Sequence, residues 1–177
     1  FLKATEGTTH IDRDFETHYK GFKNKGIALG VYHFFRFDTD GKEQANHFLN
    51  RIKGHTFQVP LIVDVEHENN PKVRREMVIQ RLNEFMQTIK KKTGQKPIIY
   101  TNGDGYSDFV EKEFDDHTLW LSSTNARRLA TMDCTFWQFN INADLMEITY
   151  RADLNVFRGS RKEWEGYIKK NKPFAIQ

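Results

Sequence analysis

Cysteine is almost absent from this chain, with Cys134 alone among 177 residues. One thiol forms no internal disulfide and no cysteine-based zinc cluster, and it leaves the redox compartment undecided; it reads as a small buried hydrophobe. Long apolar runs are missing too. Nothing approaches the 18 or more consecutive apolar residues of a membrane span, and no basic-then-apolar leader opens the chain. It starts FLKATEG, without a Met, which reads as a mature or trimmed fragment. Charge of one sign is not in excess: 27 basic against 24 acidic residues leave +3, only a mild attraction to polyanions, so a nucleic-acid partner is not expected. The basic run at 90–92 falls at the end of an expected helix, where cations complement the dipole. No glycine-rich phosphate loop follows an apolar strand, and no G-x-S-x-G elbow appears. The histidines His10, His33, His55, His67 and His117 lack an HExxH-like spacing, so neither a metal site nor a cofactor is expected.

What is present is an ordinary globular composition, 38% hydrophobic and 29% charged, with no internal repeat, low-complexity segment or linker. That predicts a single domain over 1–177, with a monomer as the default. Aromatics are plentiful, with fifteen Phe, six Tyr and three Trp, more than a minimal core needs; part of that excess is available to line a groove.

Strand and helix signals alternate. Phe15, Tyr19 and Phe22 lie at i, i+4 and i+7 and Gly26 supplies a stop, predicting a helix within 12–26. GIALGVYHFF reads as a buried strand. Residues 42–53 repeat the helical pattern through Ala45, Phe48, Leu49 and Ile52, ending at Gly54, and VPLIVDVEH follows as a strand. The longest helix is predicted to be capped by Asn70 with Pro71 in its first turn, to carry a stripe of Val73, Met77, Leu82, Phe85, Met86 and Ile89, and to stop at Gly94. KPIIYTN is the next strand. After residue 118 LWLSST, CTFWQFN and MEITYR read as strands with no room for full helices between them. The pattern is α/β, a parallel sheet covered by helices, and a barrel is favoured over a doubly wound sheet.

The chemistry concentrates in LIVDVEHEN, residues 61–69. In an extended strand Asp64 and Glu66 share one face while Val63 and Val65 share the other, with the two acidic Cα atoms about 6.6–6.8 Å apart. In parallel barrels functional side chains gather at C-terminal strand ends, where this pair sits. The competing reading leaves both carboxylates ion-paired at the rim by residues such as Arg36 or Lys3. Asn102, Ser122, Ser123 and Gln138 also follow apolar strands and point to convergence on one pocket. Paired carboxylates with aromatic platforms suit glycoside hydrolysis. Tyr32, Tyr100, Trp120 and Trp137 are the candidate platforms.

The blocks FLKATEG, GVYHFF, EQANHF, PLIVDVE, KPIIYTN, LWLSS, FWQF and DLNVFRGS resemble, in order, the successive motifs of the glycoside hydrolase family 25 lysozymes, which are N-acetylmuramidases. The resemblance implies an irregular TIM-like (β/α) barrel, mostly parallel with a few antiparallel strands in the last third. It also implies cleavage of the β-1,4 bond from N-acetylmuramic acid to N-acetylglucosamine in the glycan strands of peptidoglycan. The family's D-x-E motif falls on Asp64 and Glu66, with Glu66 as general acid/base and Asp64 polarising the substrate's own N-acetyl group. Asp153 would be a further site carboxylate and Glu6 a supporting group near the floor. Family members open with a G-[IV]-D-x-S-like strand that this sequence does not contain, so either the chain is truncated upstream of Phe1 or the barrel lacks its first strand; the alternative function is a peptidoglycan-binding module that keeps the groove without cleaving. The implied setting is secreted or cell-envelope, with a phage lysin as the other origin.

Overall fold

A computed structural model describes residues 1–127, 131–146, 151–171 and 174–175 of the chain. Its centre is an eight-stranded sheet in the order β2-β1-β3-β5-β6-β7-β8-β9. The strands are β1 Leu2–Glu6, β2 His10–Ile11, β3 Val31–Phe34, β5 Ile62–Asp64, β6 Ile98–Asn102, β7 Leu119–Ser122, β8 Phe136–Ala143 and β9 Ala152–Phe157. From β1 through β3, β5, β6 and β7 to β8 every pairing is parallel, whereas β2 and β9 pair antiparallel with β1 and β8. The sheet curls far enough for Phe1, just before β1, to pack on Trp120 of β7 and Phe136 of β8, with ring centroids 4.4 and 5.4 Å apart. A separate two-stranded ribbon joins β4 Thr56–Phe57 to β10 Phe174–Ala175. The helix-covered parallel sheet matches the strand and helix alternation, and the curled, mostly parallel arrangement with antiparallel β9 fits the TIM-like fold that the family resemblance implies. The strand expected at MEITYR lies largely outside the described residues.

The main helices are α1 Phe15–Asn24, α2 Gly41–Arg51 and α3 Arg75–Thr93. Alanine and leucine-type positions on α2 and α3 meet the outer face of the sheet: Ala45, Phe48, Leu82, Phe85 and Ile89 bury against Val31, Val63, Val65 and Ile99. Asp40 caps α2 by accepting from the Glu43 amide at 2.8 Å, and Gly94 ends α3 in the left-handed conformation that suits glycine. Two boundaries differ from expectation. Helix α3 begins at Arg75, because Asn70 is engaged elsewhere: its Oδ1 accepts from the Phe37 amide, and its Nδ2 donates to the carbonyls of Phe35 and Glu66. In α1, Phe15 and Tyr19 are buried but Phe22 is exposed.

A helix absent from the sequence reading, α5 Arg161–Lys170, follows β9 and starts with a full capping box between Ser160 and Glu163. Its Trp164, Tyr167 and Ile168 pack with Ile62, Ile98 and Phe136, closing the inner face of the curl from below. Between β6 and β7 the chain runs through a short turn, α4 Gly103–Gly105, into a π-helical turn at Tyr106–Val110.

Helices α2 and α3 touch so closely at Gly41 that a Cβ there would stand 1.8 Å from the Arg81 carbonyl oxygen and 3.1 Å from the Phe85 amide. Both neighbours are backbone and have no rotamer to yield. Gly41→Ala is therefore expected to push the helices apart and lower stability by about 1–3 kcal/mol. Equilibrium urea unfolding checks this, and an unchanged midpoint would mean the helices slide apart at no cost.

Candidate active site

Backbone pairing fixes the inner face of the sheet. Parallel register sets Phe34 beside Asp64, Asp64 beside Tyr100, Tyr100 beside Trp120 and Trp120 beside Phe136. Because side chains alternate, this row shares one face, with Tyr32, Ile62 and Ile98 two residues earlier on the same side. The strand geometry of β5 persists past its last residue, since the Val65 amide donates to the Tyr100 carbonyl at 2.9 Å. Val63 and Val65 are consequently fully buried against the helices, while Asp64 and Glu66 face inward.

These residues line a cavity of about 600 Å³ bounded by Tyr32, Phe34, Asp64, Glu66, Tyr100 and Trp120, with Gln138, Asp153 and Asn155 completing the far wall. The polar wall is braced. The Tyr100 hydroxyl donates to Gln138 Oε1 at 2.7 Å, and Trp120 Nε1 donates to Asn155 Oδ1 at 2.9 Å. Both rings are held edge to face, 4.6 Å apart, as a fixed aromatic wall. Phe22 of α1 and Phe1 reach the mouth as well.

Asp64 is only 8% exposed, and its Oδ1 accepts no hydrogen bond among the described residues. Burial raises its pKa well above the usual carboxylate range, the charge of Glu66 adds to this, and Lys3 opposes it. The Glu66 carboxyl is pushed up to about 6, first by burial and then by Glu68 and Asp153. Burial and the surrounding carboxylates likewise keep the Tyr32 and Tyr100 hydroxyls neutral. Neither Asp64 nor Glu66 has a salt bridge among the described residues. The rim cations are engaged with other acids: Lys3 Nζ lies 2.8 Å from Glu6 Oε2, and Arg36 is 3.5 Å from Glu6 and 3.7 Å from Asp38.

Five of the sequence candidates, Glu6, Asn102, Ser122, Ser123 and Trp137, lie outside the cavity lining, so of the polar residues expected to converge after the strands only Gln138 reaches it; Asn102 Oδ1 instead accepts from the Gly105 amide at 2.9 Å. Glu6 sits beyond Phe34 in the ion pair with Lys3. Trp137 falls on the opposite face of β8, where it packs with Leu121 and Cys134 and donates from Nε1 to the Ser123 carbonyl at 2.7 Å. Ser123 is therefore tied up with Trp137 on that outer side. Phe34, Phe22 and Asn155 belong to the lining although nothing in the sequence pattern set them apart; only the strand register could have identified Phe34. The five histidines do not converge. His33 is buried in the helix-side core between Thr5 and Gln44, where burial pushes its pKa down to about 3. Among the described residues no group of three or more His, Cys, Asp or Glu is placed to hold a metal ion. No described helix is long and apolar enough to cross a membrane.

The model of the family described as Glycosyl hydrolases family 25 matches residues 1–148. The chain belongs to that family. A family 25 glycosyl hydrolase from Bacillus anthracis superposes with a TM-score of 0.81 at 28% identity, over 94% of this chain and 81% of that one. Uncharacterized protein YegX of Escherichia coli is 28% identical over 95% of this chain and 62% of its own length. The N,O-diacetylmuramidase of Arthroderma benhamiae is 29% identical, over 95% of this chain and 75% of its own. This family 25 chain thus spans less than two thirds of YegX. Residues 153–160, with Asp153, lie beyond the family match.

The carboxylate pair yields a direct test. Glu66 adds to the upward displacement of Asp64, whereas the displacement of Glu66 comes from burial, Glu68 and Asp153. In Asp64→Asn, Glu66 is therefore expected to keep titrating near 6, whereas in Glu66→Gln the loss of the like charge lets Asp64 ionise at lower pH than in the parent. Carbon-13 carboxyl titration by NMR measures both. A fall of a unit or more for Glu66 in Asp64→Asn would mean that Asp64 is charged in the free protein.

Proposed function

We propose that the protein is a muramidase that cleaves the β-1,4 bond from N-acetylmuramic acid to N-acetylglucosamine in peptidoglycan, retaining configuration through participation of the substrate's N-acetyl group. One observation carries this reading: Asp64 lines an aromatic-walled cavity, and its buried Oδ1 lacks a donor among the described residues. A buried acceptor without a partner is costly, and an amide N–H arriving with the substrate removes that cost. The acetamido group of an amino sugar brings such an N–H. Family membership and the name of the similar fungal muramidase support the same substrate class.

The steps follow from the two carboxyls. Glu66, with its pKa near 6, is protonated in mild acid and gives its proton to the glycosidic oxygen as the bond to the anomeric carbon breaks. Asp64, as the anion, accepts the acetamido N–H and orients the carbonyl oxygen onto the anomeric carbon, offsetting the positive charge on the cyclised intermediate. Glu66 then removes a proton from the incoming water, whose oxygen opens the ring and leaves the anomeric configuration as it began. Tyr32, Tyr100 and Trp120 give the sugar faces an apolar wall, while Gln138, Asn155 and Asp153 offer polar contacts across the cavity. The productive state carries its proton on Glu66 and its charge on Asp64; burial opposes that charge, and the substrate's N–H favours it. The substrate places this activity in the cell envelope.

Incubating the protein with purified peptidoglycan is expected to release new muramic acid reducing ends. Glu66→Gln keeps the shape and removes the transferable proton, so turnover should drop by about 10²–10⁴-fold while glycan binding persists. Activity should trace a bell, falling above about pH 6 as Glu66 loses its proton and on the acid side as Asp64 retains one. Wall binding by the parent without new reducing ends would identify a binding module instead.

A further inference from the structure

The strands bring a cation to Asp64 that the reaction scheme above leaves out. In β1 the register shifts between Lys3 and Thr5, so Lys3 pairs with Tyr32 and Glu6 with Phe34. The irregularity turns Lys3 and Glu6 to the same side, where they bond at 2.8 Å. The ammonium lies 5.1 Å from the centre of the Phe34 ring, and Phe34 is the register neighbour of Asp64. Glu6 is itself held by Arg36 at 3.5 Å.

We propose that Lys3 is a positioning residue of this site: its ammonium, tethered by Glu6 and seated over Phe34, supplies the positive charge that lets buried Asp64 stand as an anion beneath the substrate's N-acetyl group. This rests on the muramidase reading of Asp64. Among the described residues the other charged groups that act on Asp64 are the acids Glu66 and Glu6. Glu66 shares its strand, Tyr32 and Tyr100 flank it from β3 and β6, Glu6 stands on β1 and Asp153 across the cavity on β9. In keeping with this, Lys3 makes Asp64 easier to ionise, and burial, Glu66 and Glu6 make it harder. Lys3 is not part of the cavity lining and its ammonium is bonded to Glu6, so it acts on Asp64 through space.

The test pairs two substitutions of opposite sign. Lys3→Met removes the cation, and the acid limb of the pH–rate profile should move up by about one pH unit, roughly a fivefold loss where the parent is half-maximal on that side and approaching tenfold at lower pH. Glu6→Gln removes a like charge but keeps an oxygen for Lys3, and the same limb should move down. Lys3→Arg should restore the parental limb. NMR titration of the Asp64 carboxyl in each variant gives the same ordering without turnover, and thermal unfolding checks that each is folded. Limbs and Asp64 titration that stay in place in Lys3→Met, or move the same way in Lys3→Met and Glu6→Gln, would overturn the proposal. If the parent releases no muramic acid ends, the muramidase reading fails instead, while the Asp64 titrations still decide whether Lys3 controls its charge.

Discussion

The cavity depends on the parallel register that runs from β3 through β5, β6 and β7 to β8. That pairing places Phe34, Asp64, Tyr100, Trp120 and Phe136 in a single row facing inward. A one-residue slip of β5 would turn Asp64 and Glu66 into the helix-side core and send Val63 and Val65 to the cavity. Four fully packed apolar side chains on the outer face, Val31, Val63, Val65 and Ile99, therefore specify where two carboxylates point. The hydrophobic core sets the stereochemistry of the site.

Below that row Ile62 and Ile98 meet Trp164 and Tyr167 of α5, so the cavity floor is apolar. A carboxylate just above an apolar floor loses hydration, which is why burial is the first cause of the upward displacement of both acids. The same enclosure that destabilises the free anion increases the value of each hydrogen bond and charge that a substrate or Lys3 brings to it. Stability is given up at Asp64 and recovered when the cavity is filled.

The sequence was most readable where periodicity and burial agree. The stop at Gly94, the alternation of LIVDVE across two faces and the Leu82, Phe85, Met86 and Ile89 part of the α3 stripe are local patterns that match the structure; at the start of that stripe Val73 precedes the helix and Val78, not Met77, is the buried residue. Positions fixed by distant partners were not readable. Asn70 looks like a helix cap until Phe35, Phe37 and Glu66 are seen to occupy its side chain. Trp137 follows an apolar strand just as Gln138 does, and only the pairing of Leu121 with Trp137 and Ser122 with Gln138 tells which of them faces inward. The sequence shows Lys3 and Glu6 three residues apart, but an ordinary strand would turn them to opposite faces; the irregularity between Lys3 and Thr5 is what unites them. Helix α5 carries an S-R-K-E capping box, a recognisable start signal that its mixed, half-buried aromatic face obscured.

The spatial order of the sheet also bears on how the chain assembles. Each parallel neighbour from β3 to β8 is the next large strand to leave the ribosome, so the sheet can add strands one at a time to an already folded edge. Helices α2 and α3 arrive between those strands and cover each new surface as it forms. The ring contacts of Phe1 with Trp120 and Phe136, and the packing of Tyr32 in one cluster with Phe157 and Trp164, join the early strands to the last third. Contacts across such a span carry a large loop-closure cost, so the cavity between them takes shape only after most of what lines it has been made.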